Sequence, residues 1–95
     1  MTVPRRFRDY HDPQANLDYP IDWADWIQAG DSIAESTWSA SPTGLTIGTT
    51  GIAGTVTSAW VSGGVAGTTY TLTNHIVLTS GREDDRSIEL ICVDR

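Results

Sequence analysis

Lysine is absent from the 95 residues, cysteine occurs once, and no apolar run is longer than a few residues. Each scarcity removes a class of function. A protein that binds nucleic acid regardless of sequence needs a dense positive stripe to displace counterions. Here six arginines face twelve acids, for a formal charge of −6, so nucleic acid is not expected as a ligand. Cys92 has no partner for an internal disulfide, and between Ile91 and Val93 it reads as a small core residue. A bilayer span takes roughly 20 apolar residues, and the opening Met1–Arg6 lacks the apolar stretch of a secretion signal. No membrane contact is expected, and synthesis in a cytoplasm is. A chain of this length with 39% apolar residues fits one domain with a thin core, and a body that small gains from partners that cover it.

Charge is also missing from one long stretch. Arg5, Arg6 and Arg8 open the chain and acids follow from Asp9 to Glu35, but the 46 positions from Ser36 to Gly81 carry no ionised side chain apart from whatever charge His75 takes up. That stretch is rich in threonine, serine, glycine and valine, which suit pleated strands and tight turns, and poor in strong helix formers. A mostly β domain follows. Its polarity comes from hydroxyls, so strand edges there lack the charges that usually discourage pairing with other chains.

Residues 1–16 show neither strand nor helix periodicity and read as an extended arm, with the folded body at 17–95. Leu17, Tyr19, Ile21 and Trp23 alternate with Asp18, Pro20 and Asp22, the pattern of a strand with one buried face, and Pro20 puts it at a sheet edge. Trp26–Asp31 makes a corner. Ser32–Ala40 reads as a second strand in which Ile33 and Trp38 have opposite parity, so a bulge is expected near residues 34–36. Short strands are expected at Leu45–Gly48 and Ala53–Val61, with a break at Thr49–Gly51. In Thr68–Thr79, Tyr70, Leu72, Asn74, Ile76 and Leu78 share one face. Ser80–Asp85 reads as a charged loop and Arg86–Val93 as the last strand. Six to seven strands with turn signals every 8 to 12 residues or so predict a small antiparallel, immunoglobulin-like or fibronectin-like β-sandwich. Tyr70, at the start of a late strand, stands where such sandwiches pin a corner through a phenol-to-backbone hydrogen bond.

Little here suggests catalysis. His11 lies in the arm and reads as solvent-exposed, and His75 as a surface imidazole. Glu83, Asp84 and Asp85 lack the alternating ligand spacing of a calcium loop and are flanked by Arg82 and Arg86, which predicts a solvated tip with local ion pairs. Asp18 and Asp22 are expected on the solvent side of an edge strand. The glycines of 62–67 are followed by no lysine or helix that would make a phosphate loop. No catalytic residue, metal or cofactor is therefore assigned. Four tryptophans stand out. Trp38 reads as the core anchor and Trp60 competes with Val61 for the inward direction, while Trp23 and Trp26, beside the arm, read as partner contacts. Asn74 shares parity with Leu72 and Ile76, and is either a buried amide or the mark of an irregular strand.

The ordered series Leu17–Trp23 (LDYPIDW), Gly30–Trp38 (GDSIAESTW), Trp60–Gly64 (WVSGG), Gly67–Asn74 (GTTYTLTN) and Gly81–Ile88 (GREDDRSI) resembles a family of small structural proteins of tailed bacteriophages, the fiber-tail adaptor or head-tail region proteins. The resemblance spans about residues 12–94. It implies a virion component made in the host cytoplasm, an immunoglobulin-like sandwich without catalysis, present in multiple copies in a symmetric assembly. Its partners would be other neck, tail, fiber or capsid proteins. The expected contacts are an uncharged β surface together with Arg5, Arg6 and Arg8 of the arm and Trp23 and Trp26 beside it. Capsid decoration is the alternative station, and a carbohydrate-binding sandwich using Trp23, Trp26 or Trp60 the alternative class.

Overall fold

The computed structural model describes residues 6–93, with side chains from Arg8 onward. Seven strands follow one another: β1 (Arg6–His11), β2 (Asn16–Asp22), β3 (Ile33–Ser41), β4 (Leu45–Ala53), β5 (Val56–Gly63), β6 (Thr69–Leu78) and β7 (Glu83–Cys92). They form a four-stranded sheet in the order β1-β7-β6-β3 and a three-stranded sheet in the order β2-β5-β4. No helix occurs among the described residues. All pairings are antiparallel except β1 with β7, which run parallel with Arg6 opposite Ser87 and His11 opposite Cys92.

Period-two alternation decides which side chains meet between the sheets. On β6, Tyr70, Leu72, Asn74, Ile76 and Leu78 are buried, as their shared parity predicts. Tyr19 and Ile21 from β2, Ala59 and Val61 from β5, and Ile88, Leu90 and Cys92 from β7 complete the shared core with Trp23. Cys92 is fully buried, and burial raises the pKa of its thiol. Leu17 keeps the expected parity but stays 43% exposed at the end of β2.

The expected bulge in β3 is present, as a register shift between Ile33 and Glu35. The third and fourth strands are divided differently from the expectation. Thr49–Gly51 does not break the chain, because a second register shift between Ile47 and Thr50 absorbs it and β4 runs on to Ala53. The turn falls instead at Gly54 and Thr55, with Gly54 in the left-handed region at φ +63°. The last strand likewise starts earlier than expected. Glu83, Asp84 and Asp85 pair with Val77, Ile76 and His75, so the acids read as a loop tip lie on β7.

The corner between β5 and β6 closes on Tyr70, as the sequence suggests. The Val65 N–H donates to the Tyr70 hydroxyl oxygen at 3.1 Å. Gly44 and Gly64 face each other across this corner, Gly64 N–H donating to Gly44 C=O at 3.0 Å. A Cβ at Gly64 would stand 2.7 Å from Cys92 Sγ, on a backbone at φ +98°.

Part of the stretch read as an arm is a strand, β1, and it delivers His11 to the interior. His11 is 0% exposed, contrary to its expected solvent position. Its Nδ1 shares a 2.6 Å hydrogen bond with the Tyr19 hydroxyl, and its Nε2 has no partner among the described residues. Burial, with a smaller contribution from Asp9, pushes the Tyr19 phenol up to about 12. The sequence gives no local sign of this, since parallel pairing with β7 joins residues about eighty positions apart.

Candidate interaction surface

Three polar clusters and one charge-free surface are the features able to do chemistry or hold a partner. The first cluster lies in the core. Asn74 Oδ1 accepts from Trp23 Nε1 at 3.0 Å and from Thr57 Oγ1 at 2.6 Å, while its Nδ2 donates to Ser36 Oγ at 2.9 Å and to Thr37 C=O at 3.0 Å. Both donor positions and both acceptor positions of the amide are filled. Asn74 is thus a satisfied buried amide that joins β3, β5 and β6 to the residue just after β2.

Trp23 is accordingly a core residue. It is 0% exposed and offers no surface to a partner, which corrects its expected role as a contact. The reason is its indole N–H, which Asn74 and Thr57 can satisfy only inside the fold. Trp38, the expected anchor, is half-buried against the core, and its Nε1 has no partner among the described residues. Arg86 lies over the Trp23 ring at 4.5 Å. Its guanidinium meets both carboxylate oxygens of Asp25, at 2.8 and 2.9 Å, and Nη1 donates to Asp22 C=O at 3.0 Å. Only 7% exposed, Arg86 belongs to the interior and not to a solvated loop tip. Trp26 is half-buried, packs on Trp23 at 5.7 Å between ring centroids, and carries the Arg82 guanidinium at 4.8 Å.

The second cluster is on the outer face of the larger sheet. His75 Nδ1 bonds Asp85 Oδ1, its cross-strand partner, and Nε2 bonds Glu83 Oε1 at 2.9 Å. A carboxylate at each ring nitrogen requires both to donate, so the imidazolium is favoured and its pKa is raised, Asp85 contributing more than Glu83. The third cluster staples two loops. Asp31 accepts from Thr79 Oγ1 at 2.7 Å, from Ser80 Oγ at 2.5 Å and from the N–H groups of Ser32 and Ser80. The Ser80 and Thr79 hydroxyls lead in holding its carboxyl at about 2. No group of three or more possible metal ligands is brought together among the described residues.

Beside β1 and β2 the two sheets leave a groove of about 440 Å³, lined by Arg8, Asp9, Tyr19, Ile21, Arg86 and Ile88 among others. Its charged groups are already engaged. Arg86 is held by Asp25, and Arg8, though exposed, pairs with Glu89 at 2.9 Å. Of the arginines expected to meet a partner, Arg5 and the Arg6 side chain lie outside the described residues.

The opposite side of the molecule is different. Neither β4 nor β5 contains an ionised side chain. Trp60 stands on the outer face of the smaller sheet, 42% exposed, because Val61 takes the inward position and is fully buried. Asp18 lies opposite Trp60 on β2, and Ser58 and Ser62 flank it along β5. Every residue from Gly48 to Gly54 is exposed, including Ile52 at 46%.

The outer edge of β4 is the most accessible backbone on that side. Trp23 N–H donates to Thr55 C=O at 2.9 Å, which makes 23 and 55 a hydrogen-bonded pair. By alternation, Thr57, Ala59 and Val61 turn their backbone groups to β2, and Val56, Ser58 and Trp60 turn theirs to β4. Gly51 and Ala53 answer β5, and the N–H and C=O groups of Thr50 and Ile52 point away from the sheet. The same alternation directs the nitrogen of Pro20 to the free edge of β2, where proline has no hydrogen to offer. On β1 the Tyr10 N–H is occupied by the Asp9 carboxylate at 2.8 Å. On β3 the edge is interrupted by its bulge and carries Glu35. β4 has a bulge too, but beyond it Thr50–Ala53 is a bare edge with neither charge nor proline.

Comparison with known proteins supplies a family for this geometry. No curated protein matches the chain. The family model described as podophage GP4 fiber-tail adaptor protein gp77 matches residues 11–91, which takes in most of β2 to β7 and the whole charge-free surface. The chain therefore belongs to the podophage GP4 fiber-tail adaptor family, a family of bacteriophage structural proteins.

Proposed function

We infer that the protein is a non-enzymatic adaptor built into the virion, an immunoglobulin-like sandwich that attaches to other structural proteins through its uncharged β4–β5 surface. The sheet orders β1-β7-β6-β3 and β2-β5-β4, with the Tyr70 hydroxyl closing the corner before β6, support the immunoglobulin-like description. The observation that carries the functional reading is Trp60. An indole left 42% exposed on a strand without charges is the kind of residue that anchors protein interfaces. The arginines of the amino-terminal stretch, Arg5, Arg6 and Arg8, form a second contact with acidic groups of a neighbouring subunit, for which Arg8 exchanges its exposed pair with Glu89, and the half-buried Trp26 is a further contact residue. Trp23 has no part in either contact. The sites are used in several copies, as a symmetric particle repeats its interfaces.

The test is incorporation into phage particles. Trp60→Ala removes an outward side chain with no role in the core, so thermal stability stays close to wild type while the amount of protein in purified particles falls by at least about tenfold. Undiminished incorporation rejects the Trp60 surface. Replacing Arg5, Arg6 and Arg8 together by alanine, which leaves the β1 backbone in place, reports separately on the arginine contact, and undiminished incorporation rejects it.

A further inference from the structure

We propose that the outer edge of β4 accepts an extended segment of a different virion protein as an added strand, with Thr50 and Ile52 making the main-chain hydrogen bonds. The proposal rests on the adaptor reading above and names the chemistry of the partner segment. Two outward N–H groups and two outward C=O groups, spaced one strand pair apart, are matched by the backbone of another strand. The segment carries no ionised side chain where it lies on β4, because β4 and β5 offer no counter-charge. It also lacks proline at the bonded positions and places an apolar residue beside Ile52, whose side chain shares the inward parity of Ile21 and Thr57 and yet stays 46% exposed.

Two observations favour a foreign strand over a second copy. A formal charge of −6 sets two copies against each other. The bulge between Ile47 and Thr50 also leaves only the short run Thr50–Ala53 straight, too little for self-pairing alone to reach the roughly 1,200 Å² of a stable interface. A partner that continues onto the Trp60 face does not share that limit. The contrast with the other edges points the same way. β2 is interrupted by Pro20 and β1 by the Asp9 carboxylate on Tyr10 N–H, and the uncharged end of β3 belongs to the larger sheet, while Thr50–Ala53 is left open on the sheet that carries Trp60.

The test uses Thr50→Pro in phage particles, with a photo-crosslinking residue at position 52 of the otherwise unchanged chain as the second measurement. Proline at 50 deletes an outward N–H and leaves the β4–β5 ladder intact. Incorporation is expected to fall by about tenfold or more with the thermal midpoint retained. In assembled particles the photo-crosslinker is expected to join the chain to another virion protein, through a segment free of charged residues. Normal incorporation of Thr50→Pro overturns the proposal. So do crosslinks confined to other copies of this chain, or no crosslinks from a protein that is present in particles. Should Thr50→Pro fail to fold, the crosslinking result decides. Absence of the unmodified protein from purified particles is a separate outcome, and it rejects the adaptor reading itself.

Discussion

Asn74 shows how one side chain can define a fold. An amide between two apolar layers is costly unless all its hydrogen bonds are made, and here they reach β3, β5 and the Trp23 indole at once. Asn74→Ala removes four bonds, leaves the Thr37 carbonyl to seek another partner and leaves the indole N–H only its longer bond to Thr57 Oγ1 at 3.2 Å. A loss of about 2–4 kcal/mol is expected, measured as the shift in urea midpoint at constant slope. Asn74→Ser should recover part of it. The sequence carries the parity of Asn74 but not its partners, which arrive from strands 17, 37 and 51 residues away. The same distance hid Trp23. Its alternation with Ile21 is readable, but burial depends on Asn74 and Arg86, and only the assembled sheets bring those together.

At the scale of strands, local signals were the legible ones. The buried face of β6, the edge character of β2, the bulge of β3 and the corner closed by Tyr70 each follow from residues within about ten positions of each other, where pleat and turn chemistry decide. The start of β7 was not legible in the same way. Three successive acids resemble a loop until His75, on the neighbouring strand, takes two of them. That cross-strand arrangement makes the β6–β7 hairpin sensitive to pH. Glu35 on β3, opposite Val77, adds negative charge on the same sheet, and among the described residues no arginine is paired with the His75 group. Because the folded pKa of His75 lies above the ordinary 6.5, its stabilising contribution is complete below about 6.5 and is lost as pH rises through the raised value. The thermal midpoint of the wild type should therefore fall as pH rises above about 6.5, by more than that of His75→Gln. Identical profiles for the two proteins would remove His75 from the explanation. The effect is modest, because the imidazole is 41% exposed and water screens the pair.

Across the whole molecule, charge and structure are divided in the same way. The strands β1, β2 and β7 hold nearly all the ionised groups of the sheets, and β4 with β5 holds none. An acidic body thus presents two neutral strands, bordered by Asp18 beside Trp60, on which few fixed charges would have to be desolvated. The placement of β1 adds a different property. It runs parallel to β7 across six register pairs, so the chain enters beside Ser87 and leaves beyond Cys92, at opposite ends of the same ladder. Tension applied to the two chain ends would strain those pairs together in shear instead of peeling them one by one. Tyr10 N–H faces away from β7, so Asp9 N–H faces toward it, and Asp9→Pro should lower the force at which a single molecule ruptures, well below that of Tyr10→Pro. The parallel pairing of β1 with β7 would thus let the fold bear a load directed along these strands without unravelling pair by pair.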